Sequence, residues 1–388
     1  MTKIQLVETH QISKNHKYYK ECDDLTFKSK NLWNATNFAV RQHLFETGEY
    51  LNYNKINAQF THDNQQDYRA LPAKVSKGTQ RLLDKSYRSF FGKSGFKRLP
   101  GYLHKTEGRQ VVHYEKGALS TKIKGFVKLS KTNIFIKTDK TPDFVRIVPR
   151  FDYYVLELGY SVEAPAPSVT TGTRVASIDL GLNNLAMVSS NVMSPVILNG
   201  KPIKSMNLYS NLLIAKQQSH TDGSTHQLRS YYKKRANKIK DYFHKASTWL
   251  VSLLSENQID TLVIGKNNGW KQHSKLKNFV RIPYQIFIQM LQYKCELRGI
   301  TVIEQEESYT SKSSFYSKDP IPVFGQKNQI LFSGKRISRG MYKDKTGYKM
   351  NADLNGSLNI LRKSIMWNDS MWLDCIIQSK KPIIKYSF

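Results

Sequence analysis

The chain has 388 residues, 39% hydrophobic and 12% aromatic, enough for two or three domains with cores of their own. Sixty Lys and Arg against thirty Asp and Glu leave a formal charge of +30, far beyond what solubility needs. A polyanion partner is the natural inference, because each neutralised phosphate releases a condensed counterion; a merely basic surface is the other reading. Three scattered cysteines, Cys22, Cys295 and Cys375, argue against a disulfide framework and predict a reducing compartment. No run approaches the roughly 18 to 20 apolar residues of a membrane span, and the opening "MTKIQLVETHQIS" has no apolar signal core. A soluble intracellular protein without a membrane partner is expected.

The first residues alternate as a strand does, up to about His10. Leu25, Leu32, Ala35, Phe38 and Ala39 then recur at helical spacing within "YYKECDDLTFKSKNLWNATNFAVRQHLF". A second helix is predicted in "LPAKVSKGTQRLLDKSYRSFFGK", with Pro72 placed to start it. One face carries Val75, Thr79, Leu82, Leu83, Tyr87 and Phe90; the other carries Lys74, Lys77, Arg81, Lys85 and Arg88. That basic face is either solvated surface or a nucleic-acid contact, and Ser76, Thr79 and Gln80 on the same helix are either base-edge readers or packing and capping residues. Alternation resumes in "GFVKLSKTNIFIK" and "FVRIVPRFDYYVLELGYSVE", so a small β domain interrupted by helices is expected, ending at the linker "EAPAPSVTTGT".

Beyond the linker the order becomes α/β. "RVASIDLGLNNLAMVSS" reads as strand, tight turn and strand, and "PVILNGKPI" supplies a third strand. A long helix follows in "HQLRSYYKKRANKIKDYFHKASTWLVSLLSEN", its apolar stripe flanked by Arg229, Lys233, Lys234 and Arg235 as candidate nucleic-acid contacts. Next come the strand "IDTLVIG", the helix "PYQIFIQMLQYKCELRG", the strand "GITVIEQEES" and a last helix near Asp353. This order predicts a ribonuclease H-like fold, a mixed five-stranded sheet with helices on both faces.

Three features suggest a metal site. Asp179 falls at the end of a buried strand beside a glycine turn, where an unpaired carboxylate is costly unless a cation meets it. Asp353 sits at the start of a helix in "NADLNGS", where the competing role is an N-cap. Glutamates cluster in "EQEES", which salt bridges to the surplus lysines would explain equally well. Carboxylates converging from separate strand ends would hold Mg²⁺ while leaving positions for water and phosphate. No phosphate loop, G-x-S-x-G or H-E-x-x-H motif competes.

"YYKECDDLTFKSKNLWNATNF", "SIDLGLNNLA", "IGKNNGWKQ", "EESYTSKSSF", "KRISRGMYK" and "NADLNGSLNILRK", in this order, resemble the TnpB family, RNA-guided nucleases of insertion sequences related to type V CRISPR effectors and Fanzor. The resemblance covers nearly the whole chain. It implies a multidomain α+β protein: a wedge β-barrel over 1–168 with a helical recognition insertion at about 12–95, then a ribonuclease H-like RuvC nuclease domain over 169–388 with a lid at about 310–345. It implies a guide RNA from the element's end, double-stranded target DNA with a short flanking motif, and two Mg²⁺ ions. Monomer and dimer stay open, and a prokaryotic or viral protein in the cytoplasm, near the nucleoid, is expected.

Two departures follow. Gly265 stands where most relatives place the middle glutamate; a subset and the Fanzor relatives place it before a "YTSK"-like segment, which maps onto Glu307, with Glu306 as the fallback. Asp179, Glu307 and Asp353 are then the catalytic and metal-binding set. Neighbouring strands lie about 4.8 Å apart, so an acid on one can serve the space of the other. The lid lacks the four-thiolate zinc site of many relatives, so no zinc is expected, and Phe315, Tyr316, Phe324 and Phe332 are candidates to hold it. The competing readings are a nuclease-inactive, RNA-guided DNA-binding protein acting as a repressor, and an RNA-binding protein with the nuclease domain as scaffold. Trp270 and Tyr309 are either base-stacking or core residues.

Overall fold

The computed structural model describes residues 2–92, 98–166, 173–221, 223, 225–266, 282–325 and 331–388. The chain divides into two compact units, Lys3–Val162 and Glu163–Phe388, the latter with Met1–Thr2.

The first unit opens with β1 (Thr2–Ser13), followed by the helices α1 (Tyr19–Thr47), α2 (Tyr53–His62), α3 (Gln66–Arg69) and α4 (Ala73–Phe91). Helix α1 buries Cys22, Leu25, Ser29, Leu32, Thr36 and Val40, and stops at Gly48, whose φ of 73° lets its N–H bond back to Leu44. Pro72 precedes α4 as expected, since a ring without an N–H costs nothing where the helix has no partner for one. Helix α2 carries only Ile56 and Phe60 inward, with Asn52 as its cap.

The remaining strands of this unit are β2 (Val112–Glu115), β3 (Leu119–Ser120), β4 (Phe126–Leu129), β5 (Phe135–Lys137), β6 (Phe144–Pro149) and β7 (Tyr153–Ala164). They pair as two ladders, β1-β7-β6-β2 and β3-β4-β5. One core joins both to the helices, with Leu32, Leu83, Tyr87, Tyr114, Leu129 and Ile147 among its fully buried members.

The second unit is built on β8 (Val175–Leu180), β9 (Asn184–Ser190), β10 (Val196–Asn199), β11 (Thr261–Lys266), β12 (Thr301–Glu306) and β16 (Ile384–Tyr386), in the order β12-β11-β8-β9-β10-β16. Strands β8, β11 and β12 are parallel, and β9 is antiparallel to β8 and β10. The sheet thus has six strands where the sequence predicts five; the sixth comes from the short segment after the last helices and pairs parallel to β10.

Helices α5 (Lys201–Gln218), α6 (His226–Glu256), α7 (Tyr284–Glu296), α8 (Ala352–Lys363) and α9 (Met371–Ser379) complete this unit, with a small sheet of β13 (Lys335–Ser338), β14 (Met341–Lys343) and β15 (Lys349–Asn351). Side-chain alternation along β8 decides everything that follows. Ala176, Ile178 and Leu180 enter the core shared with Phe243 and Leu250 of α6 and Phe287 of α7. Val175 joins the opposite core, with Val263 and with Leu354, Leu358 and Ile360 of α8. Ser177 and Asp179, in phase with Val175, therefore face α8. Among the described residues no helix is long and apolar enough to cross a membrane.

Candidate functional site

Ser177 of β8 and Ser189 of β9 meet Ser357 of α8, with Oγ–Oγ separations of 2.9 Å between the strands and 2.8 Å from Ser189 to Ser357. Ser177 also donates to the Ser357 carbonyl at 2.8 Å. Small hydroxyl side chains let the helix come close to the sheet while meeting every donor. One residue earlier on the helix, a Cβ at Gly356 would stand 2.6 Å from Asp179 Oδ2. Only glycine admits the carboxylate there.

Asp179 is partly buried at the end of β8. Burial, and then the negative charge of Asp353, push its carboxyl up from 3.8 to about 7, with Arg336 pulling the other way. Asp353 lies in the first turn of α8. Asn351, not Asp353, is the N-cap: its side chain accepts from the N–H groups of Asp353 and Leu354 at 2.9 and 3.1 Å. The aspartate is released from that duty and accepts instead from Asn184 Nδ2 at 2.8 Å and from Arg336 at 3.2 Å. A cavity of about 430 Å³ opens beside it, lined by the turn Gly181–Asn184 and by Arg336, Arg339 and Gly340. Tyr284 steadies that turn by donating to the Gly181 carbonyl at 2.8 Å.

Glu307, the acid expected to stand in for one at position 265, lies beside that glycine. In the ladder of β11 and β12, Gly265 pairs with Gln305 and Lys266 with Glu306, so Glu307 follows directly on the end of β12. A Cβ built on Gly265 would meet Glu307 Oε2 at 2.7 Å, Ile360 Cδ1 at 2.5 Å and the Ile178 carbonyl at 3.2 Å. The Glu307 carboxylate thus folds back over Gly265, on the strand next to Asp179. Glycine at 265 and glutamate at 307 are one arrangement, since a side chain at the first position would displace that at the second.

Glu306, the fallback, is committed elsewhere. Its Oε2 receives Lys363 Nζ at 2.5 Å and its Oε1 the Ser308 N–H at 2.7 Å. Burial disfavours its charge, but these bonds and the Lys363 charge outweigh that and hold it below the usual range. Glu304 pairs with Lys266 and Gln292. Among the described residues, no three His, Cys, Asp or Glu side chains gather closely enough to hold a metal ion. What is assembled is Asp179 with Asp353, and Glu307 against Gly265. The donor chemistry of the pair, two carboxylates of which Asp353 raises the Asp179 carboxyl, with an arginine beside them, fits a hard divalent cation.

The remaining candidate residues divide between surface and packing. Ser76, Thr79 and Gln80 are 0 to 1% exposed and cannot reach a base edge. Ser76 donates to the Tyr68 carbonyl at 2.6 Å, and Thr79 meets Ser29 of α1 at 3.0 Å. Lys74 is exposed and Lys77 partly so, while Arg81 is tied to Glu115 at 2.6 Å. On α6, Lys234 is exposed, Arg229, Lys233 and Arg235 are partly buried, and Arg235 donates to Asn207 of α5 at 2.6 Å. In the segment before α8, Phe315 is buried and Tyr316 packs beside it, Phe332 stacks on Tyr309 with centroids 6.2 Å apart, and Phe324 is 80% exposed. Carboxylates do much of the holding there: Asp319 accepts from Ser314 and Ser333, and Asp344 from Thr346 and Tyr348. Trp270 lies outside the described residues.

Asn184 and Arg336 were missed as site residues, although both fall inside motifs legible in the sequence, "SIDLGLNNLA" and "KRISRGMYK". Their side chains meet Asp353 only through the fold.

Two structural units, and acids at the carboxyl ends of parallel strands in one of them, define a multidomain α+β protein with a carboxylate site at the end of its mixed sheet. Residues 157–271, which include Asp179, match the family model OrfB_IS605, described as "Probable transposase", and residues 284–360, which include Glu307 and Asp353, match the Cas12f1-like TNB domain. A TnpB-like protein, ORF457 of Acidianus two-tailed virus, is 27% identical over 208 residues, 50% of this chain and 42% of the relative. These two segment matches and the viral relative are what support a TnpB-family protein. It spans less than half the length of that viral relative. Among solved structures, a Cas12f1–sgRNA–target DNA complex superposes with a TM-score of 0.37 at 14% identity, covering 92% of this chain and 98% of that one. The mini-RNA-guided endonuclease CRISPR-Cas_phi3 gives 0.43 at 9% identity, covering 92% of each chain.

Proposed function

We propose that the chain is an RNA-guided DNA endonuclease of the RuvC type. The second unit is read as a ribonuclease H-like nuclease domain, and the first as a wedge β-barrel carrying a helical recognition insertion. A guide RNA from the element's end and a double-stranded DNA target with a short flanking motif are the partners. Asp179 and Asp353 would hold Mg²⁺, two ions in the full site, with Glu307 as the third donor. When bound, the metal polarises phosphate oxygens and supplies an activated water.

The chain's own residues have separable tasks. With its carboxyl raised to about 7, Asp179 is only partly ionised near neutrality, and a cation held there would displace the remaining proton. Asn184 orients Asp353 through the bond to Oδ2. Arg336 and Arg339 line the cavity beside Asp353, where they would receive a phosphate, and Arg336 pairs with the Asp353 carboxylate that would hold the cation. The observation that carries the reading is the Glu307 carboxylate standing over Gly265, because it supplies an acid where the strand end lacks one.

The second reading, a guided binder that does not cut, draws on the failure of the three acids to form one cluster among the described residues. Purified protein with its copurifying RNA, Mg²⁺ and a matched plasmid separates the two. Linear product supports the nuclease; intact, stably bound plasmid refutes it in favour of the binder.

A further inference from the structure

A cavity of about 580 Å³ lies within the first unit, between α1, α4, β2 and β6, a size in the ordinary range for small-ligand sites. Its walls combine two kinds of group. Trp33, Val111 and His113 give flat or apolar surface, while Lys85, Arg98 and Arg146 bring positive charge, and no carboxylate is among the described residues that line it. The Trp33 ring is fixed by its Nε1, which donates to the Gly101 carbonyl at 3.2 Å. His113 sits with its ring 5.3 Å from that of Phe144, and burial holds its pKa below the usual value, so the imidazole is neutral at pH 7 and free to lie against a base. Arg146 bonds Glu157 at 2.7 Å through Nη2 and lies over Phe144, but its buried Nε finds no partner among the described residues.

A purely apolar guest would leave Lys85 and Arg98 unmatched, Arg146 being shared with Glu157, and a bare anion would leave the apolar wall wet. A nucleotide satisfies both, with a flat base on one side and a phosphate on the other. We propose that this cavity binds a single unstacked nucleotide of a nucleic-acid strand, its base among Trp33, Val111 and His113 and its phosphate on Lys85, Arg98 and Arg146. The pocket is independent of strand cleavage, and a guided binder would use it equally.

The test uses the full chain. Ribo- and deoxyribonucleoside 5′-monophosphates, with the matching nucleosides, are titrated calorimetrically, and a short oligonucleotide carrying a photoreactive thiobase is cross-linked and mapped. Saturable monophosphate binding, cross-links on peptides containing Trp33 or His113, and about tenfold weaker binding in Ser89→Trp, which fills the cavity, are expected. Arg98→Gln, at an exposed site that leaves folding intact, should weaken monophosphates but not nucleosides. A preference for the ribo or deoxyribo series assigns the pocket to an RNA or a DNA strand. Unchanged monophosphate binding in both variants, cross-links confined to other regions, or no monophosphate binding at millimolar concentration would overturn the proposal.

Discussion

Replacing Asp179 by Asn should stabilise the metal-free protein while removing its response to the metal. The carboxyl is raised from 3.8 to about 7, by burial first and by Asp353 second. An acid whose folded pKa lies above its unfolded value costs nothing below pH 4, where both states hold the proton. Between pH 4 and 7 only the unfolded state releases it, and the cost grows with each unit of pH; above 7 it is constant. The span corresponds to about 4 kcal/mol at 1.36 kcal/mol per pKa unit. Part of the side chain reaches solvent, which screens the charge and brings the figure to about 2 to 4 kcal/mol. Denaturant unfolding of parent and Asp179→Asn at pH 4.5 and pH 8 reads this directly: nearly equal stability at the lower pH, and the variant ahead at the higher. Mg²⁺ should raise the parent's stability at pH 8 and leave the variant's unchanged. A variant no more stable than the parent at pH 8, or a gap that persists undiminished at pH 4.5, would refute the placement of a strained carboxylate at this strand end.

Gly265→Ala should cost about 1 to 3 kcal/mol in thermal or chemical unfolding, because its Cβ meets Ile360 and Glu307 at 2.5 and 2.7 Å, and should depress cleavage by dislodging Glu307. Glu306→Gln should lower stability by about 1 to 2 kcal/mol through loss of the Lys363 pair, which circular dichroism melts will show, while metal-dependent activity persists. Asn351→Ala should cost about 1 kcal/mol in the same melts by removing the cap of α8. Arg336→Ala should raise the Asp179 pKa further, moving the pH midpoint of Mg²⁺ binding upward, as a fluorescence or calorimetric titration across pH 6 to 9 will report.

The elements that carry the acids were legible because their patterns are strong. The alternation of "VASIDL" puts Asp179 on one face, and the helix after Asn351 is announced by its apolar spacing. Helix α5 was not, since only Ile203, Asn207 and Ile214 of its length are buried and Leu208, Tyr209 and Leu212 face outward, leaving no clean stripe. For Ser76, Thr79 and Gln80 the sequence leaves base contact and packing both open, because polar residue types also suit surface; the fold favours packing, with the Tyr68 carbonyl meeting Ser76 and Ser29 meeting Thr79. The engagement of Glu306 depends on Lys363, 57 residues away along the chain, and that of Asp353 on Asn184, 169 residues away. Such partners are set by the sheet order, not by local pattern. Which of Glu306 and Glu307 stands over Gly265 depends on the side of the strand end each side chain takes, which only the register of β11 and β12 fixes.

Cleavage of a matched plasmid by the ribonucleoprotein in Mg²⁺, run side by side for the parent, Glu307→Gln and Glu306→Gln, tests the central claim most directly. The account predicts that the parent and Glu306→Gln linearise the plasmid while Glu307→Gln binds it and leaves it whole. Cutting by Glu307→Gln at the parent's rate would contradict it.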